Sequence, residues 1–336
     1  LDSLVQWIDQ HPDKQDLIRS AESAFRSVLD IWIHHTLPGR LDLHAPIADT
    51  EPEMYFWMNV IRYWVQWYGW KDGGWLINRI PPVRRPATLL THTLHNTFSE
   101  EEPVIQPMKH PASITFRSGW DSHHIAVTVS LNNIDTHHLH YDNGQVIIGA
   151  FNRFWITDPG YQQYRQGPER DFSMGPEAHN APVISGIQQT RHSGKLLHLK
   201  TLEQGLESCL IDLTDCYENL PAHTQIHREV IFMNQEYRGV IIRDKVSSAI
   251  DSTLNYSWQG GTHLAWSFVD GFARLSDGTN CLWISNSSKA INPLQLERHI
   301  GSRGPLTLKT TDKISLGINE FSWYFLFDKT LGWNTP

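Results

Sequence analysis

The sequence predicts an α+β chain in two parts, a helical N-terminal region followed by a large antiparallel β-sandwich of two sheets. Three observations predict it. Apolar residues recur every three to four positions up to about Tyr68, they alternate with period two from Ser113 onward, and a proline- and glycine-rich stretch lies between. The expected boundaries are 1–111 for the helical region with its linker and 112–336 for the sandwich.

The first helix is expected to open at Pro12-Asp13, since a proline and an acidic residue suit a first turn. Leu17, Ala21, Ala24, Phe25, Val28, Leu29 and Trp32 then fall on one face, and Pro38-Gly39 stops the run. A second helix is expected from about Pro52 to Tyr68, with Met54, Trp57, Met58, Ile61, Trp64 and Val65 on overlapping apolar faces. Gly73-Gly74, Pro81-Pro82, Arg84-Arg85-Pro86 and Pro107 mark residues 70–111 as loops or linker. Arg79, Arg84 and Arg85 form a basic group there, suited to a bidentate carboxylate contact or to a solvated face. Beyond Ser113 come SITFR, HIAVTVSL, QVIIGAF, FWIT, KLLHLKTL, ESCLIDLT, QIHREVIFM and YRGVIIRDKV. LNYSW, HLAWSF, FARLS, CLWIS, LTLKT and FSWYFLF follow, with turn signals between them and no helical pattern.

Composition bounds the function. The 336 residues are 40% hydrophobic and 19% charged, a globular balance. A net charge of −8 argues against a nucleic-acid partner and, taken alone, against a polyanionic one, but leaves room for a local basic site. Three cysteines, Cys209, Cys216 and Cys281, make no disulfide framework; they leave room for one bridge or read as free buried thiols. No apolar run reaches the length of a membrane span. The chain opens at Leu1 inside sequence that already reads as structured, so it is expected to be a fragment or processed form. That start says nothing about compartment, which stays open, a periplasmic or secreted bacterial protein being a guess.

The chemistry gathers in one stretch, His137-His138-Leu139-His140-Tyr141-Asp142, continued by Asp158-Pro159-Gly160 and Ala178-His179-Asn180. His140, Asp158 and His179 bring two imidazoles and a carboxylate from three segments at strand ends, a set that suits zinc. His140-x-Asp142 with His179 equally matches the facial triad of non-haem iron oxygenases. Spacing does not choose between them. Along an extended segment His138 and His140 share a face while His137 lies opposite. No Gly-x-Ser-x-Gly elbow and no glycine-rich phosphate loop occurs.

Arg117-Ser118-Gly119, His138-x-His140 with Asp142, Asp158-Pro159-Gly160 and Ala178-His179-Asn180 together resemble the C-terminal domain of the heparinase II/III-like polysaccharide lyases. The four motifs occur in the family's order, and the likeness is closest over about 112–190. The resemblance implies that the helical region is the end of an α/α toroid. It also implies one structural zinc on His140, Asp158 and His179, and a catalytic His138. Tyr141 takes a place like that in the alginate-cleaving relatives, with a catalytic or packing role. Tyr161, Tyr164 and Arg165 are expected on the substrate side, the two tyrosines either lining the cleft or stacking at the sheet edge.

The expected activity is β-elimination of a uronate-containing polysaccharide, in which negative charge builds on the uronate carboxylate while a base removes the neighbouring proton. The family's acid/base tyrosine belongs to the helical domain and has no identifiable equivalent here: Tyr55, Tyr63 and Tyr68 sit among Phe56, Trp64 and Trp67 and read as core. A metal-stabilised carbohydrate-binding module without catalysis is therefore the alternative, with the iron oxygenase third. The polysaccharide and the oligomeric state stay open.

Overall fold

The structure is a computed structural model, which describes residues 10–11, 15–51, 53, 58–80, 97–134, 138–160, 166–191, 194–202, 206–235, 238–287, 296–297 and 306–327. Helix α1 (Gln15–His34) leads into the hairpin β1 (Thr36–Leu37) and β2 (Arg40–His44). Helices α2 (Met58–Tyr68) and α3 (Lys71–Arg79) complete the helical part. Five strands follow: β3 (Met108–His110), β4 (Ser113–Arg117), β5 (Ile125–Ser130), β6 (Val146–Ala150) and β7 (Arg153–Ile156). A short helix α4 (Pro168–Met174) precedes β8 (Val183–Ile184), β9 (Lys195–Thr201) and β10 (Glu207–Asp212). Next come β11 (Gln225–Asn234), β12 (Arg238–Ser248), β13 (Ser252–Gln259) and β14 (Ala265–Val269). The last are β15 (Phe272–Ser276), β16 (Cys281–Asn286), β17 (Leu296–Glu297), β18 (Thr307–Ile314) and β19 (Gly317–Leu326).

The chain is thus a helical N-terminal part followed by a β-sandwich, as its periodicities predict. One layer is a sheet in the order β14-β15-β16-β19-β12-β11-β10-β9. The other combines β3-β4-β5-β6-β7 with β17-β18-β13-β8, joined where Ile156 bridges Gly260 and Thr157 donates to the Gln259 carbonyl. The ladders are antiparallel, for instance Val230 opposite Ile242 in β11 and β12 and Val127 opposite Ile148 in β5 and β6. One core fills the space between the layers, with Phe116 stacked on Phe232 at 5.9 Å and Trp258 against Trp323 at 5.2 Å.

Strands β4, β5 and β6 are buried along their whole length rather than on alternate residues. Their outer face carries the helical part as a third layer. Arg117, fully buried, donates to the carbonyls of Ile33 (3.2 Å) and Thr36 (2.8 Å) and lies over the Trp120 ring at 3.7 Å. Its cation thus meets the carbonyl-rich end of α1, where the helix dipole is negative. His35 meets the Ser113 hydroxyl across the same seam at 2.8 Å. Further along, Ala45, Ile47 and Ala48 pack on Leu139 and Ile147.

Two expectations need correction. Gly73-Gly74 marked a loop, yet they lie inside α3. A Cβ at Gly73 would stand 2.4 Å from Val65 Cγ2, and one at Gly74 2.2 Å from the Ser99 carbonyl, so close packing rather than a turn demands glycine. The sandwich, expected without helix, contains α4, which opens on Pro168. Helix α2 is described from Met58; Pro12-Asp13, Met54, Tyr55 and Trp57 lie outside the described residues. No described helix is long and apolar enough to cross a membrane.

The seam between helix and sheet is acid-sensitive. Burial, then the nearby Arg117 and Arg26 charges, lowers His34 from its usual range to about 4, and burial lowers His44 to about 4 against the Trp32 carbonyl that its ring serves. Both stay neutral in the fold while the unfolded chain takes up protons below about 6.5, so stability falls as pH drops from 6.5 toward 4. Each shift corresponds to about 3 kcal/mol. Thermal melts across that range should show a falling Tm, and a shallower fall in His44→Gln, which keeps a donor for Trp32. Equal slopes in the two proteins would rule this out.

Candidate active site and metal centre

The site is assembled from segment ends and held by backbone clamps. Asp158-Pro159-Gly160 closes a tight turn in which Gly160 takes φ +72° and donates its amide to Asp158 Oδ1 at 2.7 Å. The other carboxylate oxygen, Oδ2, accepts from His179 Nδ1 at 2.6 Å, and Gln145 Oε1 lies 3.1 Å from the same nitrogen. Asn180 fixes the His179 segment: its amide donates to the carbonyls of Val146 and Thr157, and its oxygen accepts from Gln259 N at 2.7 Å. Three strands are tied through that one side chain.

Arg228 completes the frame. It is fully buried, forks onto both oxygens of Asp244 at 2.7 Å, and donates to the carbonyls of Gly144 (2.7 Å) and Asn180 (3.0 Å). Tyr256 donates to the same Asp244 carboxylate at 2.9 Å. Burial opposes the Arg228 charge, but Asp244 more than offsets it and holds the guanidinium above its ordinary range.

His140 and His179 are brought together deep in the fold, 1% and 0% exposed, with ring centroids 5.6 Å apart. His179 is pulled down by burial and pushed up by the Asp158 carboxylate, then by Asp142 and the Met174 carbonyl, with a net rise. His140 was expected to share an ion with Asp158 and His179. Its carboxylate contact in the structure is Asp49, whose Oδ1 lies 3.0 Å from His140 Nε2. Asp49 Oδ2 lies 3.0 Å from His138 Nδ1, so one carboxylate spans both histidines of the motif. Burial would raise Asp49, and the two imidazole hydrogen bonds hold it below its ordinary value. The His138 side chain is 62% exposed and that of His140 1%.

The donor chemistry suits a divalent ion. His140 Nδ1 and Asp142 Oδ2 are buried without a hydrogen-bond partner. Unsatisfied buried polar atoms in such a cluster are costly unless a ligand serves them. As the side chains stand, the ligand atoms of His140, Asp158 and His179 are not all within 4.8 Å of one another. Among the described residues, the group that meets this is Asp121, His123 and His124, in the largely exposed turn between β4 and β5. There the two imidazole rings lie 4.0 Å apart.

Tyr141 makes its contacts elsewhere: its ring carries the Arg191 guanidinium at 4.9 Å, and its hydroxyl accepts from Gln188 at 3.5 Å. Arg79 is engaged by Glu100 at 2.9 Å and lies over Trp75 at 4.4 Å. Tyr161, Tyr164 and Arg165, like His137, Arg84 and Arg85, lie outside the described residues. Tyr63 is buried as a core aromatic is, and Tyr68, partly exposed, stacks on Trp70 at 4.5 Å. Asp49 was missed in the sequence because it sits in the unpatterned run Ala45–Thr50, and so was the Asp121–His124 turn.

Residues 115–316 match the family described as heparinase II/III-like, C-terminal. A heparan sulfate lyase, HepC, from Pedobacter heparinus superposes with a TM-score of 0.68 at 14% identity, over 95% of this chain and 48% of that one. A heparinase III structure gives 0.69 at 13% identity, over 93% and 49%. The chain therefore spans about half the length of the solved structures it matches, and at these identities the likeness establishes the fold. No curated protein sequence matches this one.

Removing Arg228 should expose how much the frame contributes. Arg228→Ala leaves Asp244 buried and unpaired, and urea unfolding should show a loss of about 3–5 kcal/mol. The double change Arg228→Met with Asp244→Leu should recover much of it. A loss below about 1 kcal/mol in Arg228→Ala would contradict the clamp.

Proposed function

Because the chain belongs to the heparinase II/III-like family through its C-terminal domain, we propose that it is part of a polysaccharide lyase that cleaves a uronic-acid-containing polymer by β-elimination. The observation that carries the reading is the pairing of an exposed His138 with a buried His140 on one carboxylate, beside His179. In the reaction the C5–H bond breaks, its electrons form the C4–C5 double bond, and the C4–O bond to the leaving sugar breaks. The base keeps the proton, and the departing oxygen takes one from an acid. His138 serves as the proton acceptor or as the group that neutralises the uronate carboxylate, both roles apt for an imidazole.

Zinc, when bound, would supply structural cross-linking and positive charge beneath His138. His140, through Nδ1, together with Asp158 and His179 would hold it. Asp158 would meet the ion as a carboxylate and the histidines as neutral imidazoles, so affinity would fall as pH drops. Tyr141, placed on Gln188 and Arg191, serves packing at the rim, and Tyr161, Tyr164 and Arg165 are assigned to the substrate side. An acidic polysaccharide is the partner. The burial of His140, Asp142 and His179 argues against an iron oxygenase, which needs open coordination positions. The burial of Tyr63 favours, as a second reading, a carbohydrate-binding module without turnover.

Incubation of the protein at its full natural length with uronate polymers, followed by ultraviolet absorbance of the unsaturated product, separates the two. Product should form with one polymer class, and His138→Ala should lower kcat about 10²-fold or more with Tm unchanged. Binding without unsaturated product from any uronate polymer would leave the binding-module reading.

A further inference from the structure

We infer that Asp49 is the positioning residue of this site, its single carboxylate dictating which ring nitrogen His138 and His140 each present. Its two oxygens stand 3.0 Å from His138 Nδ1 and 3.0 Å from His140 Nε2. An ionised carboxylate only accepts hydrogen bonds, so each nitrogen facing it carries the hydrogen. A neutral imidazole has one such hydrogen. His138 thereby carries its ring lone pair at Nε2, on a side chain 62% exposed, and His140 carries its own at Nδ1, which is buried and unpartnered. Two histidines on the same face of one segment are set in opposite tautomers, one basic nitrogen outward and one inward.

The backbone around Asp49 is built to deliver it. Ala48 takes φ +53°, a left-handed conformation that alanine adopts only at a cost. The turn is held there by Thr50 N donating to the Ile47 carbonyl at 3.0 Å and by Asp49 N donating to the His138 carbonyl at 3.3 Å. Ala45, Ile47 and Ala48 bury themselves against Leu139 and Ile147. The Asp49 side chain is 11% exposed. A residue of the helical part thus aims the side chains of the sandwich, which makes the docking of the two parts a condition for a correctly set site. The use of the outward nitrogen as a base and the inward one as a zinc donor rests on the proposed function; the tautomers themselves do not.

The test is long-range proton–nitrogen NMR of the chain labelled with ¹⁵N-histidine, at a pH above the imidazole range. The wild type should show His138 protonated at Nδ1 and His140 at Nε2. Asp49→Asn keeps the shape but offers one acceptor and one donor, so one of the two rings should change tautomer. The opposite tautomer at either histidine in the wild type, or two unchanged rings in Asp49→Asn, would overturn the inference. If Asp49→Asn does not fold, the wild-type spectrum alone decides. In the full-length protein, Asp49→Asn should lower kcat about tenfold or more with KM within about twofold, and should add little in a His138→Ala background. An equal loss in that background would mean that Asp49 acts through general stability. A wild type that forms no unsaturated product would sink the lyase reading while leaving the tautomer result to stand or fall by itself.

Discussion

Arg228 is the side chain on which the site most depends. A buried guanidinium must be both neutralised and hydrogen-bonded, and it is: Asp244 on the neighbouring strand supplies the charge, and the Gly144 and Asn180 carbonyls supply the remaining acceptors. Those two carbonyls belong to the segments that carry Asp142 and His179. The pair in the eight-stranded sheet therefore fixes loops of the opposite layer, and Asn180 passes the constraint on to Val146, Thr157 and Gln259. A position tied at so many points can carry a buried histidine in one orientation.

The helical part is a structural component of the same arrangement. Strands β4 to β6 present one face to the sandwich core and the other to the helical layer, so their polar residues are covered as thoroughly as their apolar ones. Arg117 meets the end of α1, His35 meets Ser113, and the segment before Asp49 lies on Leu139 and Ile147. This explains why a motif made of sandwich residues is completed by a carboxylate from outside it.

Much of the fold was legible because period two is a strong signal where one face is buried and the other wet. FARLS and CLWIS in β15 and β16 follow that rule. Ser113-Ile114-Thr115-Phe116-Arg117 reads the same way, yet its polar residues are buried, since alternation records chemistry rather than exposure. Helix α3 was hidden by Gly73 and Gly74, which the packing of Val65 and Ser99 requires. At the site, residue order nominated His138, His140, Asp158 and His179 as one group, and the structure sets His179 on Asp158 but His138 and His140 on Asp49. Residue order could not identify Asp49, because contact across distant segments leaves no local pattern in Ala45–Thr50, and it could not say which nitrogen each imidazole offers.

The central claim is that the buried cluster of His140, Asp158 and His179 is a structural metal centre beneath an exposed His138. Metal analysis of the purified chain, paired with thermal melts before and after chelation, tests it most directly. The account predicts one zinc per chain, a lower Tm once the ion is stripped, and neither the ion nor the chelator response in His179→Ala. A wild type that binds no zinc from a zinc-containing buffer, with a Tm indifferent to chelator, would contradict it.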